Sequence, residues 1–174
     1  MTSENGRTIK TREQVDQIAR SQRDLSEADL SGMDLSGIRL TGLDMEDANL
    51  EGANLNQALL AAINLEGANL RGAQLRAARI YGANMEDSDL AEADLTDSEW
   101  FGVNVEGADL SGAKTRGARS LAVDWSQAKV PPAEMPGQLP VPPWVPAIAA
   151  GVLLTLGVLV GVTIFLIARR RRAA

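Results

Sequence analysis

The stretch Ala48-Asn49-Leu50-Glu51-Gly52-Ala53-Asn54-Leu55 (residues 48–55) contains the unit that decides the fold. A small residue comes first, then Asn or Asp, then a large apolar residue, then two variable positions in which the second is often Gly. Outward from there the beat holds in both directions. Every fifth residue is large and apolar, from Leu25, Leu30, Leu35, Leu40 and Met45, through Ile80, Met85 and Trp100, to Val105 and Leu110. Two residues before the beat stands Ala at most coils, as at Ala28, Ala58, Ala78 and Ala108. A period of five is neither the 3.6 of a helix nor the 2.0 of a strand. Short exact repetition predicts a solenoid, in which each unit buries its apolar residue only against its neighbours.

The A-(D/N)-L-x-x pattern, from about Ala28 to Ala128, resembles the pentapeptide-repeat family. The resemblance implies an all-β fold, a right-handed quadrilateral β-helix of about five coils with four pentapeptides to a coil. It also implies that the beat residue and the small residue two before it point inward and the other three outward. Residues 20 apart then stack on one face. At a strand spacing of about 4.8 Å the rod is about 24 Å long.

The rest of the chain divides around the rod. Residues 1–23 are read as a polar tail followed by a capping helix. Thr11 and Gln14 fit a capping box, and Val15, Ile18 and Ala19 share a helical face over about Arg12 to Ser21. A solenoid end exposes unpaired strand groups and needs such a cap. Residues 24–130 are the β-helix, less regular in its last coil because the beats become Thr115 and Ser120. Trp100 and Trp125 are expected in the core or as an end plug. Residues 131–144 hold most of the seven prolines and are read as a spacer that cannot continue a β-ladder.

Residues 145–168 are uncharged, with Trp144 at one edge and Arg169-Arg170-Arg171-Arg172 at the other. That is the pattern of a transmembrane helix, about 36 Å long, with interfacial anchors and a basic tail at 169–174. Gly157 and Gly161 form a GxxxG pair that permits helix packing and self-association. Four arginines after the span favour a cytoplasmic tail. The absence of an upstream export signal favours a tail-anchored protein whose rod stays in the cytoplasm. The expected localisation is therefore the membrane, single-pass, with the β-helix cytoplasmic.

Composition narrows the chemistry. There is no Cys and no His, which removes thiol and imidazole chemistry and His/Cys metal sites. The net charge is −6, but between Asp24 and Val130 nineteen acids face eight bases. Direct nucleic-acid binding is not expected of such a rod. The carboxylates follow the outward spacing of the repeat, and a narrow filled β-helix leaves no cleft, so neither an enzyme nor a cofactor or metal site is expected.

Two outward surfaces are candidate sites. One, beside Met45, Leu65, Met85 and Val105, carries Asp44, Glu46, Asp47, Glu66, Glu86, Asp87 and Glu106, with Asp124 beyond them and no base. The next face adds Asp29, Glu51, Asp89, Glu92 and Asp109, relieved by Arg71. These read as a solvated wall that resists aggregation, or as a docking wall for a basic partner. The other surface, beside Leu40, Leu60, Ile80 and Trp100, carries Leu59, Tyr81, Phe101 and Leu121 with Arg79 and Arg119. An apolar strip flanked by arginine is a candidate protein interface.

The expected function is a non-enzymatic, membrane-anchored interaction scaffold, or an accessory subunit of a membrane complex, that docks a protein partner on a side face of the rod. The resemblance implies an alternative, since some members of the family are similar to DNA in shape and charge and bind type II topoisomerases such as gyrase. An enzyme is the third and least favoured class.

Overall fold

A computed structural model describes residues 9–140. Helix α1 (Arg12–Ser21) comes first. Five three-residue strands succeed it at intervals of twenty: β1 (Arg39–Thr41), β2 (Leu59–Ala61), β3 (Arg79–Tyr81), β4 (Glu99–Phe101) and β5 (Arg119–Leu121). A short β6 (Gly137–Gln138) closes the order. All pair in parallel in the sequence β1-β2-β3-β4-β5-β6, with Leu40 opposite Leu60 and Ile80 opposite Trp100.

Three further columns of single parallel bridges make the other sides. One runs from Asp24 through Asp44, Asn64 and Asn84 to Asn104, a second from Asp29 through Asn69 to Asp109, a third from Asp34 through Asn54 and Gln74 to Lys114. Together with the strands they give a four-sided β-solenoid of about five coils. The expected register of twenty therefore holds on all four sides.

The local geometry explains the five-residue unit. The beat side chains and the small residues two before them form one continuous core, with Leu30, Leu50, Leu70, Leu90 and Leu110 almost without exposure. On three of the four sides the chain makes a hydrogen-bonded turn after the beat, in which the amide three residues on donates to the beat carbonyl, as Ala53 N does to Leu50 O at 3.0 Å. The residue two after the beat lies in the left-handed region, from Ala62 at φ 52° to Gly117 at φ 71°. Gly is free to adopt this conformation, which is why it recurs at that slot.

The position before the beat has its own task. Its side-chain oxygen accepts the backbone N–H two residues on, as Asp29 does from Ser31 at 3.2 Å and Asn69 from Arg71 at 3.0 Å. Asp and Asn make this bond more strongly than other side chains, which accounts for the D/N of the repeat. Where the residue is Asn, its amide donates to the coil before, as Asn64 does to Asp44 at 3.1 Å and Asn104 to Asn84 at 3.0 Å.

Both ends are closed. At the start, the Thr11–Gln14 capping box forms, Val15 is fully buried, and Arg12 donates to the Ser36 carbonyl at 2.6 Å. At the far end the structure corrects the reading of residues 131–144 as a spacer outside the ladder. Gly137 N donates to Ala118 O at 2.8 Å, β6 pairs with β5, and Val130 bridges Asp109. Pro132 is buried, and the compact unit extends to Gln138 rather than ending at residue 130. Proline lacks only its own N–H, and Pro136 and Pro140 flank the two paired residues instead of occupying them.

The two polar beats anchor this cap. Thr115 Oγ1 donates to the Glu134 carbonyl at 2.6 Å. Ser120 is small, and its hydroxyl accepts from Trp125 Nε1 at 3.1 Å. Trp125 lies edge-on to Trp100, with ring centroids 5.3 Å apart and planes at 60°. The Trp100 indole is itself satisfied by Ser98 Oγ at 2.7 Å. Trp125 opens a 3-10 turn (Trp125–Gln127) that shifts the next bridge by one residue, so the last coil is the irregular one.

No helix among the described residues is long and apolar enough to cross a membrane. The expected transmembrane helix at 145–168, Gly157 and Gly161 within it, and the 169–174 tail lie outside the described residues.

Candidate functional sites on the two side faces

The β1–β5 sheet presents the apolar strip. Parallel register sets Ala61 opposite Tyr81, Tyr81 opposite Phe101, and Phe101 opposite Leu121. In the neighbouring row Leu59 stands opposite Arg79, and Glu99 stands between Arg79 and Arg119. The sheet thus brings all six predicted residues, Leu59, Tyr81, Phe101, Leu121, Arg79 and Arg119, onto one face. Their beat neighbours Leu60, Ile80 and Trp100 fill the core beneath. Phe101 is 37 % exposed, a high value for so large an apolar side chain.

Glu99 organises this surface and was not among the residues singled out from sequence as the site. Its carboxylate accepts Arg119 Nη2 at 2.7 Å and the Tyr81 hydroxyl at 3.3 Å. Burial, then the Glu99 charge and hydrogen bond, push the Tyr81 phenol above its ordinary range. One pair thus crosses the strip and pins Tyr81. Arg39 and Arg79 have no ion pair among the described residues. The stacking of residues eighteen and twenty apart is the signal that finds Glu99, once the register is known.

The acidic face is less uniform than its spacing suggests. Asp44 is half-buried and closes a turn, accepting from Glu46 N at 3.3 Å and from Asn64 Nδ2 at 3.1 Å. Glu66 accepts from Asn84 Nδ2 at 3.4 Å. Asp47 and Asp87 stand at left-handed positions, with their carboxylates over Gly67 and Gly107 of the next coil. Glu46, Glu66, Glu86 and Glu106 occupy equivalent positions in successive coils.

Elsewhere the turn-closing carboxylates sit below their ordinary values. Hydrogen bonds from the Ser31 hydroxyl and amide lower Asp29, and those from the Ser111 amide and hydroxyl lower Asp109. Burial raises Asp94, but hydrogen bonds from Thr96 and the charges of Arg76 and Lys114 outweigh it. Among the described residues no group of three His, Cys, Asp or Glu is placed to hold a metal ion, and no buried side-chain polar atom lacks a partner. The interior is filled by side chains.

Residues 24–60 and 58–97 match the pentapeptide-repeat family model, in eight copies. Similar solved structures include a pentapeptide repeat protein from the Arabidopsis thaliana thylakoid lumen, at 27% identity and TM-score 0.55, covering 58% of this chain and 69% of that one. QnrB1, a plasmid-mediated fluoroquinolone resistance protein, aligns at 20% identity and TM-score 0.46, over 60% of this chain and 66% of its own. HetL, a pentapeptide repeat protein involved in heterocyst differentiation regulation in Nostoc sp. strain PCC 7120, aligns at 25% identity and TM-score 0.26, over 64% and 70%. No curated protein sequence matches the chain.

Proposed function

This chain is built around a pentapeptide-repeat β-solenoid, and from that premise we propose that it is a non-enzymatic interaction scaffold that docks a protein partner on its β1–β5 face. The observation that carries the reading is the stacking of Tyr81, Phe101 and Leu121 in one column on the outer face of the sheet, with Phe101 exposed and its two neighbours half-buried. Aromatic side chains beside arginine are the composition of interface centres, and a scaffold that does not rearrange loses little entropy on binding. Pentapeptide-repeat solenoids generally serve as structural or interaction proteins, in keeping with the filled interior.

The proposal includes a membrane anchor. Residues 145–168 are uncharged and bounded by Trp144 and four arginines, the composition of a span with interfacial anchors. The anchored rod would hold its partner at a cytoplasmic membrane surface, alone or as an accessory subunit of a membrane complex. A second reading, mimicry of DNA toward a type II topoisomerase, rests on the side that carries Glu46, Glu66, Glu86 and Glu106 without a base.

The scaffold reading is tested with the double variant Tyr81→Ser/Phe101→Ser in the full chain. Neither side chain fills the core, so the variant should still fold, with a loss of about 1–2 kcal/mol from the cross-strand pair and the Tyr81–Glu99 bond. Proteins co-purified with the wild-type chain from its own cells should be lost from the variant. If the variant folds and retains the same partners and oligomeric state, this face is not the docking site.

A further inference from the structure

We infer that the partner segment received by the β1–β5 face is acidic and short: an extended stretch of a few residues in which Asp or Glu alternates with apolar side chains. This deepens the scaffold reading and rests on it. The first support is the distribution of charge around the rod. The side that carries Glu46, Glu66, Glu86 and Glu106 holds ten acids and no base between Asp24 and Asp124. The β1–β5 face holds one acid, Glu99, against Arg39, Arg79 and Arg119. Glu99 is already bound to Arg119 and Tyr81, so it is neutralised within the face. Arg39 and Arg79 remain exposed and without an ion pair among the described residues, so the face presents net positive charge on an acidic protein. A basic partner would be drawn to the other side of the rod, and an acidic one is directed here.

The size of the face suits a short segment better than a second copy. Five strands about 4.8 Å apart and about 10 Å long give a flat area of about 200 Å². A stable protein–protein interface buries about 800 Å² on each partner. A short peptide fits the smaller area. The chain's own residues 141–174 carry four arginines and no acid, which is the wrong charge for this face. The pattern of the face also sets the pattern of the ligand. The arginine row and the aromatic row flank the buried beat on each strand, two residues apart, so charged and apolar contacts run as parallel lines along the rod. An extended peptide laid along the rod places alternate side chains on the two lines.

The test uses the full chain in neutral detergent and a fluorescein-labelled heptapeptide in which Asp alternates with Leu and Phe, read by fluorescence polarisation. Saturable binding is expected, weakening as salt is raised. It should fall at least about tenfold in Arg39→Glu/Arg79→Glu and in Tyr81→Ser/Phe101→Ser. Four outcomes of the binding assays overturn the inference. One is no binding at about 1 mM peptide. Another is equal binding of a peptide with Asn in place of Asp. A third is unchanged affinity in Arg39→Glu/Arg79→Glu, which would place the acidic peptide elsewhere, as on the arginines at 169–172. The fourth is capture of phosphatidylserine–phosphatidylcholine vesicles in place of the peptide, lost in the same variants. Loss of native partners in Tyr81→Ser/Phe101→Ser but not in Arg39→Glu/Arg79→Glu would keep the docking face and reject its acidic ligand, so the two readings fail separately.

Discussion

Gly107 shows why one slot in the repeat is not merely a turn. Its φ of 70° lies in the left-handed region, and a Cβ there would run into the Asp87 carboxylate of the coil before. Gly67 stands in the same relation to Asp47, and Gly117 to Asp97, whereas a Cβ on Gly52 meets nothing within 4 Å. Stacking therefore pairs an acid at a left-handed position with a glycine one coil later. Gly52→Ala is expected to cost about 1–2 kcal/mol, the left-handed penalty alone. Gly107→Ala should cost more, because the Asp87 carboxylate must also leave its place. In a double-mutant cycle, Asp87→Ala should recover the excess. Equal chemical denaturation midpoints for the two single variants would show that the carboxylate gives way without cost. At this scale the repeat was legible in sequence, but the partners of Asp44 and Asp87 were not. Their spacing says they point outward; only the next coil shows that Asp44 is held by the Asn64 amide and Asp87 lies over a glycine.

At the scale of elements, α1 and the strands arise from local pattern. The capping box and the face of Val15, Ile18 and Ala19 place the helix, and the beat at Leu40, Leu60, Ile80 and Trp100 places the sheet. The distal cap was not legible in this way. Thr115 and Ser120 interrupt the apolar beat and read as decay of the repeat, yet each is a polar group that fastens the cap to the last coil. Their partners are the Glu134 carbonyl and the Trp125 indole, and neither bond can be read from the apolar beat alone. Thr115→Val keeps the shape and removes the hydrogen bond to the Glu134 carbonyl. The expected loss is about 1 kcal/mol of stability, together with faster amide exchange at Gly137, whose N–H holds β6 to β5. The exposed Thr41→Val serves as a control and should change neither. Unaltered exchange at Gly137 in Thr115→Val would mean that β6 is held by its own pairing and the buried Pro132 alone.

Across the whole molecule, charge is sorted by side, and the sorting makes orientation matter. A rod that is acidic on one flank and aromatic and basic on another presents different chemistry on its different sides. The proposal of a membrane-anchored, cytoplasmic rod is checked by topology. The chain has no Cys, so Ser111→Cys on the exposed exterior supplies one label site. Intact cells are treated with a membrane-impermeant maleimide, with lysed cells as the control. Labelling is expected only after lysis, and the protein is expected in the membrane fraction. Labelling in intact cells would put the rod outside and end both the cytoplasmic placement and the topoisomerase reading. Recovery in the soluble fraction would reject the anchor.

The sequence by itself determined the coil, because a five-residue unit carries its own instructions. The small and apolar positions point inward, Asp or Asn closes the turn, and a left-handed residue comes next. Each unit needs only the unit twenty residues away, so periodicity is sufficient to place them. What only the tertiary structure decided lies where that translational rule stops. The cap at residues 131–138, the bonding of Glu99 to Arg119 and Tyr81, and the contact of Trp125 with Trp100 depend on particular side chains meeting across coils. The repeat sets which positions stack, but which side chains bond there, and in what geometry, is decided only once the rod is wound.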